Sequence, residues 1–218
     1  MKIVAMIPAR EGSQRLIRKN FKKIKGHSLI ELCIKKCIQS NIFDEIWVNS
    51  DSNEIENIAK KLNVNFYKRP KHLADNNSTS EEFTTDFLNN IKCDYLFQVH
   101  TITPLLTSLQ VKNFVKSFIK SKNNTGLSFN EINLECLIKN SPINFNFNKK
   151  QNSQDLSPVQ QISWAITGWK VRSFLQNKNC KTYTPPLFYY KLPKTSSIAI
   201  KTQEDLDLCR ALYNNLTT

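Results

Sequence analysis

No stretch of the 218 residues approaches the roughly 18 consecutive apolar side chains of a membrane span, so no membrane partner is expected. Lys2 is followed by only a short apolar run before charge sets in, which is not the pattern of a secretory leader. The six cysteines, at positions 33, 37, 93, 136, 180 and 209, contain no C-x-x-C pair, and the three histidines form no set with zinc-ligand spacing. Cys33, Cys37 and Cys209 fall on the apolar stripes of expected helices and read as buried free thiols, from which a reducing cytoplasm follows. Acidic residues are scarce: 18 Asp and Glu stand against 31 Lys and Arg, a formal charge of +13. Residues 1–40 hold ten Lys and Arg against Glu11 and Glu31 alone, +8 for this part. A cationic face of this kind calls for an anionic partner, and a nucleotide triphosphate or a nucleic-acid backbone would each fit. The absence of any recognition-helix or RNA-binding signature makes a basic nucleic-acid-binding module the remotest reading.

What is present is organised around Lys2 to Asn20, KIVAMIPAREGSQRLIRKN. Ile3, Val4, Met6 and Ile7 read as a strand covered on both faces, as in a parallel sheet, and Pro8 ends the ladder. Ala9 to Ser13 are mostly small, with one flexible glycine, and Arg15, Arg18 and Lys19 follow closely. A polyphosphate needs such a loop at the carboxyl end of a strand: approachable backbone N–H groups, a hydroxyl and several cations. By its residues alone the loop is equally compatible with a solvated basic turn.

Gly26 and Ser28 mark a helix start, and Leu29, Ile30, Cys33, Ile34, Cys37 and Ile38 recur at helical spacing. Strands at 45–49 and 64–67 flank a helix at 52–62; a helix capped by Ser80, a strand at 94–99 and a helix at 108–120 carrying Leu109, Phe114, Val115 and Phe118 follow. Alternation at βαβ length predicts one domain over 1–218 with a mostly parallel sheet flanked by helices. A further strand is expected at 125–129. From Ile132 to about Trp164 the period weakens into an irregular arm with Phe145 and Phe147. Leu187 to Leu192 is a late strand. Ser197 to Thr202 is expected as a last strand, before a helix capped by Thr202 with Asp205 at its third position and a stripe of Leu206, Cys209, Tyr213 and Leu216.

The string PAREGSQRLIRKN resembles the N-terminal signature of the CMP-sugar-acid synthetases, cytidylyltransferases that activate sialic and related nonulosonic acids, in which the loop reads A-R-x-G-S-K-x-L-P-x-K-N. Arg10, Gly12, Ser13, Leu16, Lys19 and Asn20 fall on that pattern, while Gln14 and Ile17 replace its lysine and proline. VNSDSNEIENIAKKLNV, RPKHLADNNSTSEEF, HTITPLLT and SQDLSPVQQISWAITGWKV resemble later segments of the same family, with His100 in place of a glutamine and Leu106 in place of an arginine. The resemblance implies a Rossmann-like nucleotidyltransferase sheet with a small dimerisation arm. It implies transfer of CMP from CTP to a sugar acid with release of pyrophosphate, and a homodimer. Arg10, Gly12, Ser13, Arg15, Lys19, Asn20, Arg69, Ser80 and His100 would meet CTP, with Asn20 reading the base; Thr103 and Gln161 would meet the sugar acid. Arg10, Lys19 and Lys201 are the candidates to offset phosphate charge.

The family's final strand reads S-I-D-I-D-T, with aspartates that hold magnesium. This chain has Ser197, Ile198, Ala199, Ile200, Lys201 and Thr202 there. A protonated lysine cannot ligate magnesium, so the cofactor is expected only as a CTP complex, without identified protein ligands. Asp51, Asp75 and Asp205 are the other carboxylates considered. The loss leaves open a catalytically degenerate relative acting as a nucleotide-binding or partner subunit, with slow or absent turnover, beside the active enzyme.

Overall fold

The computed structural model describes residues 1–215. In chain order the strands are β1 (Ile3–Pro8), the short pair β2 (Lys23–Ile24) and β3 (His27–Ser28), β4 (Glu45–Ser50), β5 (Asn65–Lys68), β6 (Tyr95–Val99), β7 (Thr125–Ile132), the short pair β8 (Leu137–Ile138) and β9 (Ser141–Pro142), β10 (Val159–Lys170) and β11 (Leu187–Lys191). The helices are α1 (Leu29–Ser40), α2 (Asn53–Lys61), α3 (Ser80–Asn90), α4 (Ser108–Ser121), α5 (Val171–Gln176) and α6 (Gln203–Asn215).

Seven strands form one sheet in the order β11-β7-β10-β6-β1-β4-β5. β1 pairs parallel with β4 and β6, β4 with β5, and β11 with β7; β10 alone runs antiparallel, between β6 and β7. The expected mostly parallel sheet is therefore present, with one reversed strand that the sequence pattern did not reveal. The chain moves outward from β1 through β4 to β5 and then returns to β6 on the other side of β1. That reversal opens a crevice at the carboxyl ends of these strands.

β1 is buried on both faces. Ile3, Ala5 and Ile7 pack with α1, α2 and α4 residues such as Ile34, Ile55 and Phe114, while Val4 and Met6 pack with Phe87 and Leu88 of α3 and with Trp169 and Phe174. Phe97 of β6 is fully buried, edge-on to Phe114 and Phe118 with centroids 6.2 and 5.7 Å away. Against it lies Gly168 of β10, where an added Cβ would stand 2.6 Å from the Phe97 ring and 3.0 Å from that of Phe118. A third cluster holds Leu16, Ile24, Leu29, Leu105, Ile200, Leu206 and Cys209, and so ties α6 to the first loop.

Ser28 caps α1 with a reciprocal Glu31 contact, and Thr202 and Asp205 form the expected exchange at α6. For α3 the cap is Thr79, paired with Glu82, and Ser80 is the first helical residue. Ile38 and Leu109 face outward, and Val111 takes the core position on α4. Residues 198–201 form no strand: after a short 3₁₀ turn at Thr195–Ser197, Ile200 N–H makes one bond to the Ile102 carbonyl, 2.8 Å, and α6 begins three residues later. Cys33, Cys37 and Cys209 are buried as free thiols. Leu216 lies outside the described residues.

The irregular segment is shorter than expected, because at Val159 the chain has already rejoined the sheet as β10. Between β7 and β10 it carries the β8–β9 hairpin and the edge-on pair Phe145–Phe147. β10 is interrupted between Ile162 and Thr167 by a bulge in which Trp164 takes a φ of 54°, a costly conformation for an aromatic residue. Ser128 Oγ fills the gap in the ladder, lying 2.9 Å from Ser163 Oγ and accepting the Ile166 N–H at 3.2 Å.

Candidate functional site

A cavity of about 520 Å³ lies in the crevice at the ends of β1, β5 and β6, lined by the first loop, the β6 terminus and the start of α3. Arg10, Ser13, Arg15, Lys19, Asn20, Arg69, Ser80 and His100 all line it. Of the residues expected at CTP only Gly12 does not. Space is open around Gly12 and its φ is not positive, so neither close approach nor a left-handed turn requires a glycine there. Pro8, Gln14, Phe83, Thr101 and Ile102 complete the wall; Phe83 and Thr101 gave no chemical signal in the sequence, since one is an ordinary helix apolar and the other an ordinary loop hydroxyl.

Two of the cations, Arg10 and Arg69, are held by neutral groups. Arg10 donates to the Asp75 carbonyl at 2.5 Å. Arg69 is nearly buried, donates through Nε to Asn49 Oδ1 at 2.6 Å and through one Nη to the Asn49 carbonyl at 3.0 Å, and lies over the Phe83 ring at 4.1 Å. Burial brings its pKa down to about 10, so it stays charged at neutral pH. Burial, and then the charges of Arg15, Arg10 and Lys201, depress the Lys19 ammonium below the usual lysine range.

Asn20 does not have the free amide expected of a base reader. It is buried, its Nδ2 donates to the Arg10 carbonyl at 2.9 Å and its Oδ1 accepts from Thr101 at 2.7 Å. One N–H and one lone pair remain, and its main work is to brace the first loop against the β6 terminus. Thr103 is fully buried, donates to the His100 carbonyl at 3.4 Å and lines no cavity; its own carbonyl accepts from the buried Lys36 ammonium at 2.8 Å. It is a structural residue of the β6 loop, not a sugar contact.

Gln161 and Lys201 line a second cavity of about 320 Å³, with Asn130, Trp164, Lys194 and Asp205. Ile102 belongs to both cavities. Asn130 Oδ1 is buried without a partner among the described residues, leaving an acceptor for a ligand donor.

The His100 ring presents an enclosed Nε2 with no partner among the described residues, while its backbone N–H donates to the Ala165 carbonyl at 3.1 Å. Burial, with a smaller effect from Lys19, pushes its pKa down to about 4, so the imidazole is neutral at pH 7. Because the unfolded chain protonates near the usual histidine value of about 6.5, stability is intact above that pH and falls on acidification by about 1.4 kcal/mol per pH unit until the folded value is reached. Urea melts of wild type and His100→Gln between pH 7 and 4 are expected to differ by this slope, the variant losing less stability in acid; parallel pH curves would contradict the assignment.

The residues do not fit a protein-held magnesium ion. Among the described residues no group of three or more His, Cys, Asp or Glu is placed to hold a metal. Asp51 accepts the Glu11 N–H at 2.9 Å, Asp75 accepts the Asn77 and Ser78 N–H groups, and Asp205 caps α6. No helix of the described residues is long and apolar enough to cross a membrane.

Over nearly all of its length the chain is similar to the pseudaminic acid cytidylyltransferase of Campylobacter jejuni, 26% identical with 98% of this chain and 97% of that one covered. It is 25% identical to the N-acylneuraminate cytidylyltransferase of Streptococcus agalactiae over 94% of this chain and 52% of that longer one. Among solved structures, a CMP:2-keto-3-deoxy-manno-octonic acid synthetase complexed with CTP superposes with a TM-score of 0.74 at 14% identity, covering 99% of both chains. The 4-diphosphocytidyl-2C-methyl-D-erythritol synthase of Anaerococcus prevotii gives 0.71 at 15% identity, covering 98% of both. These two likenesses speak for the fold. The family model described as cytidylyltransferase matches residues 4–216, and with the sheet order and the cationic crevice already in place the chain belongs to the cytidylyltransferase family.

Proposed function

We propose that the chain transfers CMP from CTP to a nonulosonic, sialic-acid-like sugar acid and releases pyrophosphate. The observation that carries this is the crevice at the ends of β1 and β6, lined by four cationic side chains and by no Asp or Glu, beside a second polar cavity that shares the Ile102 wall. In the reaction the anomeric hydroxyl of the sugar acid attacks the α-phosphate and pyrophosphate leaves. Arg10, Arg15 and Lys19 would offset charge on the phosphates, chiefly on the leaving pyrophosphate, and Ser13 and the neutral His100 would supply hydrogen bonds. The adjoining cavity with Gln161, Asn130 and Lys201 would take the sugar acid. Magnesium accompanying CTP would be held by phosphate oxygens and water. The test is pyrophosphate release from CTP with sialic, legionaminic, pseudaminic and deoxyoctulosonic acids in turn. Release with none of them would sink the transfer reading.

A second reading, a degenerate relative that binds the nucleotide as a partner subunit, is favoured by one observation: Ala199 and Lys201 occupy the positions where the resembling family has its metal-binding aspartates. A thermal shift on CTP without turnover on any sugar acid would select it.

We further propose a homodimer joined through the segment between β7 and β10. Leu134, Leu137, Ile138, Ile143 and Phe147 are all exposed there, a concentration of apolar surface that a second copy would cover. Sedimentation at micromolar concentration is expected to show a dimer, and Ile138→Asp with Phe147→Asp to shift it to a monomer; a wild-type monomer would count against the arm as an interface.

A further inference from the structure

The charge around the first cavity has no counterpart inside it. Arg10, Arg15, Lys19 and Arg69 line it, no carboxylate does, and Lys201 is close enough for its charge to act on Lys19. Among the described residues none of these five makes an ion pair. Like charges held together at a partly enclosed site repel unless an anion joins them. The carboxylates whose charge reaches the cluster, Asp51 and Asp86 acting on Arg69, stand outside the lining. Asp205, the one acid lining the second cavity, accepts the Lys201 and Thr202 N–H groups, both at 2.8 Å.

Lys201 itself is fixed at its backbone. Its N–H is bonded to Asp205, and the preceding Ile200 N–H is bonded to Ile102, the residue common to both cavities. Lys201 lines the second cavity and its charge reaches Lys19 in the first, so its ammonium lies within electrostatic range of both.

We propose that this chain binds its nucleotide triphosphate without needing a divalent metal, and that Lys201 is the cation that takes the metal's electrostatic place beside the first cavity. This rests on the nucleotide reading given above. It makes the unpaired cluster a designed feature: the anion supplies the missing negative charge, and a lysine that cannot ligate magnesium neutralises phosphate directly.

Calorimetric titration of CTP into the full chain, in excess EDTA and in excess magnesium, tests it, with thermal melts to verify folding of each variant. The expected result is binding in EDTA as tight as, or tighter than, in magnesium. Lys201→Gln is expected to weaken binding in EDTA about tenfold or more, with Lys201→Arg close to wild type. The double variant Ala199→Asp, Lys201→Asp is expected to bind CTP only when magnesium is present. Wild-type binding that requires magnesium, or Lys201→Gln indistinguishable from wild type in EDTA, would overturn the proposal while leaving the nucleotide reading intact. No binding of CTP under either condition would instead remove the nucleotide reading on which it stands.

Discussion

Replacing Lys19 with alanine is expected to weaken CTP binding by about 1.5–3 kcal/mol, and Arg10→Ala by a similar amount, through loss of charge-assisted contacts to phosphate. Both side chains line the first cavity, and the burial that depresses the Lys19 ammonium also lowers the local dielectric, so each remaining charge acts more strongly on a bound anion. The two variants should part company in stability. Arg10 links the first loop to the Asp75 carbonyl, so its loss should lower the melting temperature. Lys19 is repelled by Arg15, Arg10 and Lys201, so its loss should leave stability unchanged or raise it. Calorimetry with CTP and thermal melts without it measure the two effects separately. Unchanged affinity in both variants would remove the phosphate-loop assignment.

Phe97→Ala is expected to cost about 3–5 kcal/mol of folding stability, the range for emptying an aromatic site in a packed core. Phe97 touches three other rings, Phe43, Phe114 and Phe118, with centroids 6.0, 6.2 and 5.7 Å away. Its flank fills the space that the missing side chain of Gly168 leaves open. The complementary change, Gly168→Ala, overpacks the same space and is expected to cost about 1–3 kcal/mol. Together the two should cost less than their sum, because the smaller side chain at 97 makes room for the methyl group at 168. Urea melts of the three variants measure this; strict additivity would mean that the two residues do not share the space.

The elements with a clean period were legible: β1 as an apolar run covered on both faces, α1 and α4 as helical stripes. The first loop was legible because cations, a serine and a family pattern coincide between Arg10 and Asn20. β10 was not, and Gly168 is part of the reason. A strand lying against a phenylalanine ring must give up side chains there, so its apolar signal is diluted by the residues that let it fit. Residues 198–201 read as a strand by composition, but Ile200 is buried by α6 and the first loop instead of by strand neighbours. Lys36 of α1 is buried with its ammonium donating to the Thr103 carbonyl, a contact 67 positions away that no helical period carries. The role of Asn20 depends on contacts with Arg10 and with Thr101, the second of them 81 positions away, which no local pattern carries.

The reversed strand gives the molecule a mechanical property that a fully parallel sheet would not have. From Val159 to Ile162 β10 is paired on one side only, with β7, next to the arm; from Thr167 to Trp169 it is clamped on both sides, by β6 and β7. Between the two lies the bulge, and Ala165 within it holds the His100 N–H. The half-free end therefore works as a lever arm and the clamped end as its mount, with the His100 peptide attached at the pivot. Load applied to the arm is transmitted to the first cavity along one covalent strand, whereas load applied to the outer strand β11 must first cross β7. Amide exchange at His100 should accordingly track what is seated on the arm more closely than exchange at Tyr189 or Tyr190 does.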